Sequence, residues 1–437
     1  MQAVYVFIVL CALIVAGKAI RLQVPLLQRL YLPSSVIGGV IGLVLMSVLG
    51  NAVPSDFSET VRKVPGFLIN VVFATLFLGA TVPGLRKVLK LALPQLCLGQ
   101  ISAWGQYAIG LGLAGFVLAP LCGVPESFGN LLEIGFQGGH GTVGGMAESF
   151  RAFGWEDGIA LGYTVATVGM VSGIVAGMVL INWAYKKGIV TFVRPFHERR
   201  YDERKGLHLR RSRPVAGYQT VMSDSVDSLA WHLAIVGVSI AIGAGLHSLL
   251  PLQGFPLFPF CMIGGILLQT AVSKAGKDIL VDRAQMERIS GASLDFLVVS
   301  AIATIRLDVV AANWIPLLAL VIAGIAWSTV TVLYFGPRIF ATAWFERAIA
   351  DFGQSTGVTA TGLMLLRTVD PDNKTCAAAS FGYKQLLHEP VMGGGLWTAL
   401  ALVLVYRWGW LTVFLLSLAM MLLWIVLSRF LRRWGMV

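Results

Sequence analysis

A chain of 437 residues that is 57% hydrophobic, only 13% charged and has a mean hydropathy of +0.78 cannot hide its apolar side chains in one water-facing core. Those values exclude an ordinary soluble globular protein and describe an all-α polytopic membrane protein. The net charge of +11 then follows from loop topology, and nucleic acid need not be invoked.

In chain order, apolar runs that can span occupy residues 3–20, 36–49, 67–80, 95–119, 158–184, 229–250, 257–272, 292–305, 314–335, 391–406 and 411–430. That is about eleven helices. The first run has no positive charge before it and Lys18, Arg21 and Arg29 near or after its end, the reverse of a secretory leader, so it reads as a retained helix with its N-terminus outside. Counting forward, inward loops hold Arg86, Lys87 and Lys90, then the linker, then Lys274, Lys277, Arg283 and Arg288, and finally Arg429, Arg432 and Arg433. Outward loops hold Asp56, Glu59, Glu126, Glu156 and Asp157, with Arg62, Lys63, Arg151 and Arg407 in the minority. The distribution satisfies the positive-inside rule. The basic linker carries Arg199, Arg200, Arg204, Lys205, Arg210 and Arg211 and is expected to lie against anionic headgroups on the cytoplasmic side. Cys11, Cys97, Cys122, Cys261 and Cys376 have neither metal nor redox spacing and read as small apolar fillers.

Three matches recur in the same order, displaced by about half the chain. Ile37-Gly38-Gly39 recurs as Ile263-Gly264-Gly265; Phe67-Leu68, Ala74-Thr75 and Leu78 recur as Phe296-Leu297, Ala303-Thr304 and Leu307; Gly139-His140-Gly141-Thr142 recurs as Gly353-Gln354-Ser355-Thr356. The chain therefore reads as duplicated. An odd number of helices, about five, precedes the linker, so the second copy starts from the opposite side and the repeats are inverted. The expected organisation is a first inverted repeat over 1–185, a basic cytoplasmic linker over 186–228, a second repeat over 229–408 and an additional transmembrane helix over 409–437.

Each half contains one glycine- and threonine-rich stretch at membrane depth, residues 138–145 and 352–362. Consecutive glycines cost a helix about 1 kcal/mol each relative to alanine, so the backbone can leave the helix there. Such breaks are tolerated in a bilayer only inside protein or along a water-filled cavity, and paired breaks mark the binding site of a secondary transporter. The first offers Gln137, Gly138, Gly139, His140, Gly141 and Thr142, whose exposed amides suit a carboxylate substrate. The second offers Asp351, Gln354, Ser355, Thr356, Thr359 and Thr361, hard oxygen ligands that suit an alkali cation such as Na+. Close helix packing accounts for Gly38, Gly39, Gly173 and Gly177 without any site. It accounts poorly for His140, which needs a partner at this depth and is either a direct contact or scaffold.

Other polar residues carry two readings each. Asp295 lies about one helical turn from Asn70 when the repeats are superposed in sequence, and is either functional or interfacial. Lys384, His388 and Glu389 precede Pro390 and the helix expected from Val391; they sit at the interface or face an anion. Arg306 and Asp308 are an expected surface pair.

At Gly138-Gly139-His140-Gly141-Thr142, followed by the helix over 162–180, the chain resembles the bacterial sodium/glutamate symporter family. The resemblance covers most of the chain. It implies a core of two inverted repeats, each with a re-entrant or discontinuous element, a homodimer, and glutamate import with Na+ as coupling ion through the inner membrane. The second break departs, since Thr359-Ala360-Thr361 is followed by Gly362 where that family ends its stretch in Ala-Thr-Pro. An alternative is an H+-coupled symporter or exchanger of another organic anion using His140 or Asp351. An enzyme acting through His140 and Glu148 lacks both a Gly-x-Ser-x-Gly elbow and a His-Glu-x-x-His motif. No cofactor is expected beyond the coupling ion.

Overall fold

The computed structural model describes residues 2–80, 85–190, 192, 205–207, 213, 215–249 and 254–433. Helix accounts for 81% of the structure and no described residue is in a strand, so the all-α class holds. The principal helices are α1 (Gln2–Gln23), α2 (Ser34–Leu49), α3 (Ser55–Thr75), α4 (Leu85–Leu113), α5 (Leu131–Phe136), α6 (Gly139–Gly145), α7 (Asp157–Lys186), α8 (Ser228–Leu249), α9 (Phe258–Lys274), α10 (Arg283–Ala303), α11 (Trp314–Val330), α12 (Trp344–Val369), α13 (Ala377–His388), α14 (Leu396–Trp408) and α15 (Trp410–Arg433).

Among the described residues six helices are long and apolar enough to cross a membrane: Gln2–Gln23, Leu91–Cys122, Asp157–Lys186, Ser228–Leu249, Trp314–Ile339 and Trp410–Arg433. The sequence expectation was larger, and the difference has physical causes. Helices α2, α9 and α14 are apolar but shorter. Helices α3 and α10 extend their apolar runs backwards into charged turns, Ser55 to Lys63 and Arg283 to Arg288. The expected helix over 391–406 is interrupted and starts only at Leu396.

By contact the chain forms two compact units that cut across its two halves. The first comprises Met1–Val82, Gly144–Ala152 and Arg200–Ile305. In it α2 packs on α1 and α10, and α9 packs on α8 and α3. The two Ile-Gly-Gly motifs make these approaches possible. A Cβ on Gly38 would lie 2.5 Å from the Leu13 carbonyl oxygen, and one on Gly264 would lie 2.2 Å from that of Ser239. The following glycines face the third helix of the other half: Cβ atoms on Gly39 and Gly265 would meet Ile302 Cβ at 2.7 Å and the Ala74 carbonyl at 2.5 Å. Arg283 closes the C-terminal end of α3, donating from Nη1 to the carbonyls of Leu76 at 2.8 Å and Leu78 at 3.2 Å. Asp295 has Ser35 as its hydrogen-bonding neighbour, whereas Asn70 bonds back to the Gly66 carbonyl at 2.9 Å.

Of the basic linker, Arg199, Arg200, Arg204, Arg210 and Arg211 lie outside the described residues, as do the side chains of Arg86, Lys87 and Lys90. The Lys205–Gly206 segment is held at the end of α1: Arg21 donates to the Lys205 carbonyl at 3.1 Å and Lys18 to that of Gly206 at 2.8 Å.

The second unit comprises Pro83–Val143, Phe153–Arg199 and Arg306–Val437. Helix α4 is its spine, contacted by α11, α13 and α15, while α7 packs on α5 and α12. Helices α4 and α11 end alike. Each widens into a π-helical turn, Ala114–Leu118 and Thr331–Phe335, just before a segment with proline at its second position, Pro120 and Pro337. Proline lacks an N–H and clashes with the carbonyl one turn back, which a π-turn relieves. Arg306 pairs with Asp308 and Asp157, both at 3.1 Å.

Candidate transport site

Both glycine-rich breaks belong to the second unit through residue 143, and they touch. In the first, α5 ends at Phe136 and Gly139 takes φ +68°, a left-handed conformation that glycine adopts without a side-chain penalty. In the second, α12 is broken at Gly357 (φ −164°, ψ 42°) and Val358 (φ 62°, ψ 173°). A β-branched residue there costs of order 1–3 kcal/mol and persists only when its surroundings determine it. A Cβ on Gly139 would lie 2.5 Å from Val358 Cγ1, so only glycine fits opposite the second break. The two arms of α12 also fold against each other, since a Cβ on Gly353 would be 2.7 Å from Gly362 Cα.

A buried polar network surrounds this contact, and much of it comes from α4. Gln95, Gly99, Ser102 and Gln106 follow at i, i+4, i+7 and i+11 and share one helix face. Gln95 Nε2 donates to Asp351 Oδ2 at 2.6 Å, the Ser102 and Ser355 hydroxyls are 2.7 Å apart, and Gln106 Nε2 donates to the Ser355 carbonyl at 2.5 Å. Gln106 Oε1 accepts from Gln137 at 3.2 Å, and Gln137 Oε1 accepts from His388 Nε2 at 3.1 Å. Gln100 then donates to His388 Nδ1 at 3.2 Å. His388 thus faces an acceptor on one nitrogen and a donor on the other, the arrangement of a neutral ring protonated at Nε2.

Glu133 and Asp351 are buried carboxylates solved in different ways. Glu133 accepts from Tyr107 Oη at 2.5 Å, the Gly393 amide at 2.8 Å and Thr398 Oγ1 at 3.0 Å, all neutral donors. Gly393 and Gly394 have φ +68° and +103°, so a third glycine-rich turn, 393–395, is pinned beside Gln137. Asp351 is instead ion-paired to Lys384 Nζ at 2.9 Å, with both side chains at or below 2% exposed. Lys384 also donates to Gln354 Oε1. Unpaired burial of either charge would cost several kcal/mol, so both solutions are needed.

The residues expected at the first break largely share this place. Gln137 bridges the network, Gly138 and Gly139 form the break, and Thr142 Oγ1 bonds back to the Gly138 carbonyl at 2.9 Å beside buried Gly141. His140 has the partner it needs: Nε2 meets Thr167 Oγ1 at 2.8 Å, and the ring stacks near Tyr163 with centroids 6.3 Å apart. Residues of the second break are spread over several neighbours. Asp351 and Gln354 face Lys384, Ser355 faces Ser102, and Thr356 bonds back to the Phe352 carbonyl at 2.9 Å. Thr359 Oγ1 donates to Glu389 Oε1 at 2.7 Å, and Thr361 lies over Gly357. An interfacial position for Lys384 and His388 is overturned: both are fully buried on α13, because the apolar run after Pro390 is broken by its glycines and α13 itself packs into the core.

Glu133, Tyr107, Gln95, Gln100, Gln106 and Gly393 were not expected from the sequence as a set. The i, i+4, i+7, i+11 spacing on α4 signals Gln95 and Gln106, and the Gly393-Gly394-Gly395 triplet signals Gly393; neither points to Gln100, Tyr107 or Glu133.

A family model described as sodium/glutamate symporter matches residues 1–341. The chain belongs to the sodium/glutamate symporter family. That family implies Na+-coupled transport of glutamate, with glutamate and Na+ as the transported substrates and Na+ as the coupling ion. The symporter's first break lies inside the matched region and its second break beyond it. No curated protein matches the chain.

Proposed function

We propose that the protein takes up glutamate, or a related small organic anion, together with Na+ by alternating access, the first break contributing most to the anion and the second most to the cation. The observation that carries this reading is the contact of Gly139 with Val358, which joins both backbone breaks within one compact unit lined by buried amides. Irregular backbone at membrane depth of this kind is characteristic of transporter binding sites. Gln137 and the glycines 138, 139 and 141, with His140 and Thr142, serve the substrate; Asp351, Gln354, Ser355, Thr356, Thr359 and Thr361 serve Na+.

Glutamate carries one net negative charge, and an inside-negative potential opposes its import by about 2.3 kcal/mol per 100 mV. One Na+ per glutamate cancels that opposition, and each further Na+ adds the potential to the driving force. The duplication and the odd number of helices before the linker support two inverted repeats, the loop charges support an outer N-terminus with the linker and C-terminus cytoplasmic, and membership of the family supports a homodimer in the inner membrane. Purified protein in liposomes tests the coupling: glutamate uptake is expected to follow an inward Na+ gradient. Uptake driven by a pH gradient without Na+ would replace this reading by the H+-coupled alternative.

A further inference from the structure

Lys384 is 1% exposed, and its ammonium takes the oxygens that a hard cation would use at the second break. It donates to Asp351 Oδ1 at 2.9 Å and to Gln354 Oε1, while Gln95 occupies the other carboxylate oxygen at 2.6 Å. Room for it is made by a missing side chain: a Cβ on Gly99 would lie 2.4 Å from Lys384 Cε and 2.8 Å from Nζ. We propose that Lys384 is a specificity-determining residue of the cation site, a tethered cation that holds the Asp351–Gln354 position and that Na+ displaces when it binds. The inference rests on the assignment of Na+ to the second break.

One buried carboxylate balances one positive charge. With Lys384 in place, a Na+ at the same oxygens would put two cations on Asp351, out of water and in mutual repulsion. The ion pair and the bound Na+ therefore exclude each other, and Lys384 sets how much Na+ is needed. The lysine side chain suits this role because its charge sits at the end of a flexible stem whose donors rotate freely. A lysine that only braced α13 against α12 would affect stability and leave Na+ affinity alone.

The test is the Na+ dependence of glutamate uptake by the full chain in liposomes, with Na+-dependent thermal stabilisation of the purified protein as a second readout. Lys384→Met removes the competitor. Gly99→Ala pushes the ammonium off Asp351 without deleting a charge, and decides the matter if the methionine variant does not fold. Each is expected to lower half-saturating Na+ at least tenfold. A Na+-dependent wild type whose folded variants keep its midpoint, while only their melting temperatures fall, overturns the Lys384 assignment alone. Wild-type uptake and stability both indifferent to Na+ overturn the transport reading itself, and this inference with it.

Discussion

The two breaks open the backbone by different physical means. The first uses a glycine where the left-handed conformation is required, Gly139 at φ +68°, so it stores little strain. The second places a β-branched residue, Val358 at φ 62°, in the same half of conformational space. It is held there by what surrounds it, namely the Lys384–Asp351 ion pair and the Thr359–Gln385–Glu389 hydrogen bonds on either side of the turn. An unstrained break lined by neutral donors is suited to admitting a ligand with little rearrangement. A strained break locked by charge is suited to switching, because exchanging one cation for another changes what holds the strain.

If charge locks the second break, Asp351→Ala produces the largest loss. Lys384 would be left buried with Gln354 as its remaining partner, and breaking a buried pair from one side costs about 3–5 kcal/mol. A steep fall in melting temperature in detergent, with loss of uptake, is expected; a variant as stable as wild type would remove the lock from the comparison.

Glu133→Gln probes the first break at the next level. It keeps the shape but turns an acceptor of three hydrogen bonds into an amide with one acceptor oxygen, leaving donors short by about 1–3 kcal/mol. Because Gly393 is among those donors, a raised KM for glutamate with Na+ dependence unchanged is expected from uptake kinetics. A shift in half-saturating Na+ instead would place Glu133 in the cation's sphere and blur the division between the breaks.

Gly139→Ala tests their contact directly. Alanine at positive φ costs roughly 1–2 kcal/mol, and its Cβ would meet Val358 Cγ1 at 2.5 Å. Both glutamate and Na+ constants are expected to worsen together, since one methyl group disturbs both breaks. Val358→Ala in the same chain is expected to restore part of the loss by removing the clash, and an unchanged double variant would show that the contact is not what couples them.

What could be read from the residues divides along the same line. The all-α membrane class, the family and the two stretches that contain the backbone breaks were legible, because hydropathy, glycine clusters and the Gly139-His140-Gly141-Thr142 motif are local signals; the breaks themselves are narrower than those stretches, since Gly139–Gly145 is helical and the second break is confined to Gly357 and Val358. The residues proposed for the cation were legible only as a set of oxygen-bearing side chains on one stretch. Nothing local in 351–361 says that Asp351 and Gln354 turn to one helix, Ser355 to another and Thr359 to the far side of the turn. Lys384 and His388 looked interfacial because Pro390 and an apolar run follow them. The triplet Gly393-Gly394-Gly395 interrupts that run by the same propensity argument that located the first break, and the buried face of α4 was hidden because isolated glutamines in an apolar helix look incidental until their spacing is counted.

The smallest effect bears on His140, whose role separates scaffold from contact within the first break. Its Nε2 meets Thr167 Oγ1 at 2.8 Å, and that hydroxyl donates in turn to the Tyr163 carbonyl at 2.8 Å, so the ring nitrogen is the donor of the pair. Losing this bond costs about 0.5–1.5 kcal/mol whichever partner is removed. Thr167→Val deletes the acceptor while leaving the imidazole in place, and His140→Ala deletes the ring itself. If His140 only anchors the break to α7, the two variants lose stability and glutamate affinity by similar amounts. If the ring also touches the substrate, Thr167→Val lowers the melting temperature as much as His140→Ala but retains far more uptake, because the imidazole remains beside Gly139. A double-variant cycle measured on KM distinguishes these outcomes: loss confined to the shared hydrogen bond makes Thr167→Val, His140→Ala and the double variant equal and keeps the proposed substrate role on the first break's backbone and Gln137, whereas a ring that touches substrate leaves Thr167→Val milder than the other two.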